Sequence, residues 1–307
     1  MPIWQWPLRS RTPFDTIFAK YNRTRKPQFQ IRTRILEENG KRYVEKAALT
    51  EASGAHIGSM EEKHEKLSKV NPEVRVLEPH FSEDKQAVRF EFLTGKTLAE
   101  ELGGQIRGKK APVEAIQAAM EQVFSKAALR LESFYVTPEF LEVFGRNPAE
   151  DSQDSASGEL EQQLSALSDA SYAVSNIDGL FENLMVSGGK LYCLDYEWVF
   201  DFPVPAGFVR YRNLVYFYYK YEGLMDYENA ADFLKEFGIG EELSGLYAAM
   251  EESFQSWVHG DGTQGYMGNY KQRLVTLEEL KAQERNWIRP ESGSTSFRKR
   301  WRSAIFR

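Results

Sequence analysis

The sequence predicts an α+β chain in two lobes, a small antiparallel β lobe with one inserted helix and a larger, mainly helical lobe. Three observations carry this. Apolar residues alternate with polar ones from Phe29 to Leu49 and recur in short runs at 74–77 and 86–93, the period of strands with one buried face. From Pro112 onward the apolar spacing changes to threes and fours. The 20 Phe, 15 Tyr and 6 Trp supply the large apolar surface that a substantial core needs. The boundaries expected are 1–93 for the β-rich lobe, 94–290 for the helical lobe and 291–307 for a basic tail.

In order, residues 28–49 read as a hairpin. Phe29, Ile31, Thr33 and Ile35 alternate, Glu37-Glu38-Asn39-Gly40 supplies the turn, and Tyr43 to Leu49 returns. Thr50 opens a helical stretch to about Lys69, stopped at Asn71-Pro72. Val74–Leu77 and Gln86–Leu93 follow as strands around the turn Ser82-Glu83-Asp84-Lys85. Pro112 starts a helix carrying Ile116, Met120, Val123 and Phe124, and Thr137-Pro138 to Gly145 frames a short one. Residues 147–169 are polar, acidic and free of aromatics, and are expected to be an exposed, mobile insertion. A second hairpin spans Leu184–Val186, Ser187-Gly188-Gly189 and Leu191–Trp198. Helical stripes at 208–225, 230–237 and 240–257 complete the chain.

The net charge of −6 is unevenly spread. Residues 1–46 carry +7, the last ten +5 and the stretch between them −18. Basic ends suit a phosphate, a membrane surface or a partner, or are simply solvated. The tail from Phe297 mixes aromatic and basic residues as interfacial segments do. No run is long and apolar enough to span a bilayer. The single cysteine, Cys193, fits a reducing cytoplasm, with peripheral contact at the inner membrane face through the tail. The stripe Phe208, Tyr211, Val215, Tyr218 and Tyr219 reads as core, so no nucleic-acid partner is expected.

The chemistry concentrates in Asn176-Ile177-Asp178-Gly179-Leu180-Phe181-Glu182-Asn183 and Leu194-Asp195-Tyr196-Glu197-Trp198. On their own Asp178 and Asn183 read as turn residues beside a hairpin. With Asp195 on the following strand they form the set that phosphoryl transfer from ATP uses. One carboxylate orients the attacking hydroxyl, while an amide oxygen and a second carboxylate hold Mg2+. Strand alternation puts Cys193, Asp195 and Glu197 on one face, making Glu197 a further metal ligand. Lys46, on the strand 43–49, would reach the phosphates, held by Glu62 or its neighbour Glu61 on the inserted helix. Phe90–Leu93 is placed as a linker, with Glu91 and Leu93 offering backbone groups to adenine.

In this order and spacing the chain resembles the protein-kinase-like superfamily over roughly residues 20–260. The Asp-Tyr-Glu-Trp segment is more similar to aminoglycoside and small-molecule phosphotransferases than to protein kinases. Together with Phe202-Pro203-Val204-Pro205 and the residues to Arg212, it resembles kinase-like domains that accompany bacterial glycosyltransferases and methyltransferases building surface polysaccharide such as O-antigen. The resemblance implies ATP, Mg2+, a sugar or glycan acceptor and such enzymes as partners. Departures are Asn176 in place of a histidine, Leu180 in place of a lysine or histidine, and Tyr21–Pro27 in place of a glycine-rich loop. Arg23, Arg25 or Lys26 would have to supply the missing charge, or the chain is an inactive relative that serves as a scaffold.

His259-Gly260-Asp261 mimics a catalytic-loop opening, but Tyr266 stands where an Asn is needed, so it reads as a loop. His56 and His64 lack metal-ligand spacing and read as structural, and Cys193 as a packed strand residue.

Overall fold

The structure is a computed structural model whose described residues are 15–70, 73–124, 131–145, 156–172 and 174–260. They all fall in one unit, Met1–Asn269. The Asn71-Pro72 stop, the first half of the expected insertion, Asp261, Tyr266 and the basic tail lie outside the described residues.

Strand β1 (Asp15–Tyr21) is nearly all exposed, so no alternation marks it in the sequence. A 3-10 turn (Pro27–Phe29) leads into β2 (Ile31–Glu38) and β3 (Lys41–Ala48), the expected hairpin. Asn39 and Gly40 join them with φ of 52° and 74°, the left-handed pair whose twist matches antiparallel strands. Thr50 then caps a 3-10 turn by accepting the Ser53 N–H. The inserted helix follows in two pieces, α1 (Gly54–Gly58) and α2 (Met60–Val70). β4 (Val74–Val76), β5 (His80–Phe81) and β6 (Ala87–Glu91) complete this part. The main sheet is antiparallel in the order β1-β2-β3-β6-β5. Lys46 sits opposite Thr33 and Val88 in its two central pairings. Glu45, one residue away, points to the opposite face, where Arg32, Arg34 and Arg89 surround it.

After β6 the chain passes through β7 (Lys96–Thr97) into α3 (Leu98–Arg107), opened by a capping box of Thr97 and Glu100. α3 carries no clear signal in the sequence, where the pair Gly103-Gly104 lowers helix propensity. Its buried Leu98, Leu102 and Ile106 recur every fourth residue. α4 (Pro112–Phe124), β8 (Leu131–Ser133) and α5 (Pro138–Phe144) follow, the last capped by Thr137 as expected. α6 (Ala156–Ala166) corrects the expected mobile insertion, because its second half is an ordered helix. Leu160 and Leu164, four residues apart, are both buried, and this thin apolar stripe is easily lost among polar neighbours.

β9 (Ala170–Tyr172), β10 (Ser175–Asn176), β11 (Leu184–Ser187), β12 (Lys190–Cys193) and β13 (Val199–Phe200) then follow in close succession. The second hairpin ends at Cys193, so Asp195 and Glu197 lie beyond the strand rather than alternating along it. A second sheet runs β4-β12-β11-β7, with β4 parallel to β12, and ties the two lobes together. β10 pairs with β13, pinning both ends of the segment 177–198. Helices α7 (Ala206–Tyr221), α8 (Ala230–Lys235) and α9 (Glu241–His259) form the far side. Phe144 is fully buried against Phe140, Phe200, Phe208 and Phe254 at centroid distances of 5.1–6.1 Å, an aromatic core on which the helices rest.

Candidate active site

The loop from Ile177 to Asn183 is built to present polar groups from an apolar footing. Ile177 and Phe181 are buried anchors, and Asp178 stands between them. Asn176 shapes the entry, since its amide oxygen accepts the Asp178 N–H at 3.0 Å and its Nδ2 donates to the Asp195 carbonyl at 3.3 Å. Thus the residue in the expected histidine position fastens the loop to the segment carrying Asp195. Asn183 Nδ2 donates to the Asp178 carbonyl at 2.9 Å, and the Leu194 N–H donates to the Asn183 carbonyl at 2.8 Å. From below, α7 braces the same loop. Asn213 accepts the Phe181 N–H at 2.8 Å and donates to the Gly179 carbonyl at 3.1 Å, while Arg212 donates to the Ile177 carbonyl. Neither residue stands out in the sequence, where they lie between the apolar positions Tyr211 and Val215 of the helical stripe.

Lys46 crosses from the β lobe to this assembly. Its Nζ lies 2.7 Å from Asp195 Oδ1 and 3.4 Å from Glu197 Oε2, and the lysine is only 6% exposed. Lys46, Asp178, Asn183 and Asp195 are therefore gathered in one place.

Glu62 is not gathered there. It pairs with Lys66 one helical turn away, and Glu61 pairs with Lys85, both on the exposed side of α2. In place of a helix acid, Glu197 joins Asp195 in holding Lys46. Buried to 3% exposure, Glu197 also receives Arg25 and lies 2.9 Å from His56 Nε2. Lys63 donates to the Glu197 carbonyl at 2.6 Å. The inserted helix thus offers His56 and Lys63 where an acid was expected, and the ion pair to Lys46 comes from the far lobe instead. A charged helix face gives no sign of this, since the pairing joins residues 151 apart.

Glu197 is consequently a counter-ion rather than a metal ligand, with both carboxylate oxygens committed to cations. Among the described residues no group of three or more His, Cys, Asp or Glu side chains is arranged to hold a metal. Asp195 and Asn183 are different. The Asp195 side chain is 32% exposed, and hard oxygen donors of this kind suit Mg2+, which binds through one or two carboxylates and keeps its other positions for phosphates and water. The residues present fit that ion.

Electrostatics sharpen the arrangement. Burial, and then the neighbouring charge of Asp195, push the Asp178 carboxyl up to about 7, against the pull of Arg212 4.0 Å away. Burial works against ionisation of Glu197 too, but the charges of Arg25 and Lys46 and the bond to His56 hold it well below the usual carboxylate range. Burial lowers Lys46, yet Asp195 and Glu197 together more than reverse this. Lys63 is pushed down by burial to about 8. Cys193 is pushed up to about 12, also by burial, which makes it a packed thiol and not a nucleophile.

The remaining expected residues frame the site. The expected linker begins later than Phe90, because Glu91 is still the last paired residue of β6, opposite Tyr43, and half-buried Leu93 packs on the core as the chain leaves the sheet. Leu180 is buried and brings no charge. In the basic loop, Arg25 reaches Glu197 and lies 5.4 Å from the Trp198 ring centroid. That loop is fixed to the end of α9, where the Lys26 N–H donates to the Val258 carbonyl at 2.8 Å and His259 Nδ1 lies 3.0 Å from the Thr24 carbonyl.

No family model and no curated protein matches this chain. Solved structures do. A choline kinase from Streptococcus pneumoniae aligns at 14% identity over 81% of this chain and 89% of its own, with a TM-score of 0.46. A thermostable aminoglycoside phosphotransferase in a ternary complex with AMP-PNP and hygromycin B aligns at 14% identity over 88% and 92%, with a TM-score of 0.45. A type I macrolide 2'-phosphotransferase aligns at 11% identity over 84% and 92%, with a TM-score of 0.42.

Proposed function

We propose that this chain is an ATP- and Mg2+-dependent phosphotransferase that acts on a hydroxyl, with a sugar or glycan intermediate of bacterial surface-polysaccharide assembly as acceptor. The observation that carries the reaction type is the meeting of Lys46 with Asp195, beside Asp178 and Asn183, between two lobes. An ammonium held by carboxylates rather than by solvent is preorganised to receive phosphate oxygens. Asp178, ionising near neutral pH, orients the acceptor hydroxyl and takes up its proton. Asp195 and Asn183 would hold Mg2+, which neutralises charge on the phosphates when bound. Glu197, fixed by Arg25 and His56, keeps Lys46 aimed across the cleft. The acceptor class and the association with glycosyltransferases or methyltransferases rest on the sequence resemblance, and a contact of the tail with the inner membrane face rests on its composition. Among the described residues no helix is long and apolar enough to cross a membrane.

A second reading has a specific observation in its favour. Lys46, Arg25 and His56 are already satisfied by Asp195 and Glu197, as in an interaction module that has no need of nucleotide. Thermal melting with and without Mg-ATP separates the two. Nucleotide at 100 times its dissociation constant adds about 2.7 kcal/mol to a chain that binds it. A shift that depends on magnesium, together with phosphate transfer to one of a panel of sugars and lipid-linked glycans, supports the enzyme. No shift at millimolar nucleotide favours the scaffold.

A further inference from the structure

We propose that Arg212, with Glu251 behind it, is the positioning residue that sets the height and tilt of the loop carrying Asp178; this rests on the phosphotransfer reading above. Arg212 lies on α7 and is only 3% exposed, an unusual place for a guanidinium with nothing but packing to do. One hydrogen bond and two ion-pair approaches account for it. One Nη donates to the Ile177 carbonyl, immediately before Asp178, and the same nitrogen is 4.0 Å from Asp178 Oδ1. Nε faces Glu251 of α9 at 2.8 Å. The guanidinium is also held between rings, with Tyr216 at 5.5 Å and Phe254 at 5.3 Å. Tyr216 in turn donates to Glu251 Oε1 at 3.1 Å, which fixes the carboxylate that fixes the arginine.

The geometry explains a division of labour. Asn213, the next residue, holds the Gly179 and Phe181 backbone, which is the far side of the loop. Arg212 holds the near side at Ile177. Between these two supports only Asp178 is left to be aimed, and its carboxylate meets Arg212 on one oxygen and the Trp198 N–H on the other at 3.3 Å. A planar guanidinium reaches the Ile177 carbonyl with one Nη while its Nε and other Nη face Glu251, which a lysine ammonium on a flexible stem does not reproduce. Because productive geometry tolerates displacements well under an ångström, a loop freed on one side loses turnover while the nucleotide contacts of Lys46 and Asp195 persist.

The test compares Arg212→Gln, Arg212→Lys and Glu251→Gln with the unaltered chain. It measures melting temperature, local amide hydrogen exchange over 176–183, and phosphate transfer from Mg-ATP to water or to an acceptor found in the panel. Turnover per folded molecule is expected to fall about 100-fold in Arg212→Gln, with KM for Mg-ATP unchanged and exchange raised in 176–183 alone. Arg212→Lys should recover part of both effects. Turnover retained in folded Arg212→Gln, or exchange rising evenly across the helical lobe, would overturn the role and leave a purely structural arginine. An unaltered chain that binds Mg-ATP but transfers no phosphate to any acceptor would overturn the phosphotransfer reading, and this role with it.

Discussion

Single side chains decide whether this cleft stores charge or hides it, and Asp178 is the clearest case. Its carboxyl ionises near pH 7 when folded, against about 3.9 in an unfolded chain. Between those values the folded state holds a proton that the unfolded state has lost. Stability from this group is therefore complete below about pH 4 and drains away as pH rises through about 7. Replacing the acid with its neutral isostere removes that loss. In urea titrations at pH 7.5 without nucleotide, Asp178→Asn is expected to be more stable than the unaltered chain by about 1–3 kcal/mol, with the gain gone at pH 4. Turnover should fall by about 10²–10⁴-fold in the same variant. A variant equally stable or weaker at both pH values would show that Asp178 carries no such penalty. At this scale the sequence was informative where residue type and spacing are themselves the signal, as for Asp178, Asn183, Asp195 and Lys46. It misled where a partner had to be chosen across the cleft, because a choice among Glu61, Glu62 and Glu197 depends on folded geometry alone. Arg25 was legible only as one of three basic-loop residues, and His56, Lys63 and Arg212 left no local trace of their roles, for the same reason.

Elements carry the site through close approaches that short motifs do not reveal. The linker between lobes is an example, since Gly95 sits where an added Cβ would lie 2.4 Å from the Val186 carbonyl oxygen of β11. The backbone cannot yield there without disturbing the Lys96–Val186 pairing that joins β7 to β11. Gly58, ending α1, has open space around its Cβ position. Gly95→Ala is therefore expected to destabilise the chain by about 1–3 kcal/mol, the usual cost of overpacking. Gly58→Ala should instead gain about 0.4–1 kcal/mol by restricting the unfolded chain. Chemical denaturation reads both, and equal effects of one sign would refute the distinction. The elements legible beforehand were those with a strong signal of their own, namely the Asn-Gly hairpin, the Thr-capped helix at 138 and the long helices of the far lobe. β1, α3 and α6 escaped because an exposed edge strand, a glycine pair and a two-leucine stripe are weak patterns, completed only by what they pack against.

The lobes behave as one body when their charges are shared, and Glu197 is where most of that sharing occurs. Arg25 and Lys46 reach it from the sheet lobe, His56 and Lys63 from the inserted helix, and its own chain runs into β13 and the helical lobe. Lys46 also pairs with Asp195 across the cleft, while a further cross-lobe pair, Lys66 with Asp201, is largely exposed and worth at most about 1 kcal/mol. Removing the Glu197 charge leaves Arg25 without its carboxylate and Lys46 with Asp195 alone, and breaking a buried pair in this way typically costs about 3–5 kcal/mol. Glu62→Gln removes only an exposed helix pair of about 0.3–0.5 kcal/mol. Native-state hydrogen exchange distinguishes these cases by location. In the unaltered chain and in Glu62→Gln, β2, β3 and α7 should open with a common free energy. In Glu197→Gln the strands β2 and β3 should open at lower free energy than α7, because the sheet lobe has lost its anchor while the aromatic core around Phe144 is intact. Protection falling equally in both lobes would mean that Glu197 stabilises the fold globally, and that the second sheet, through β4 and β12, is what makes the two lobes unfold together.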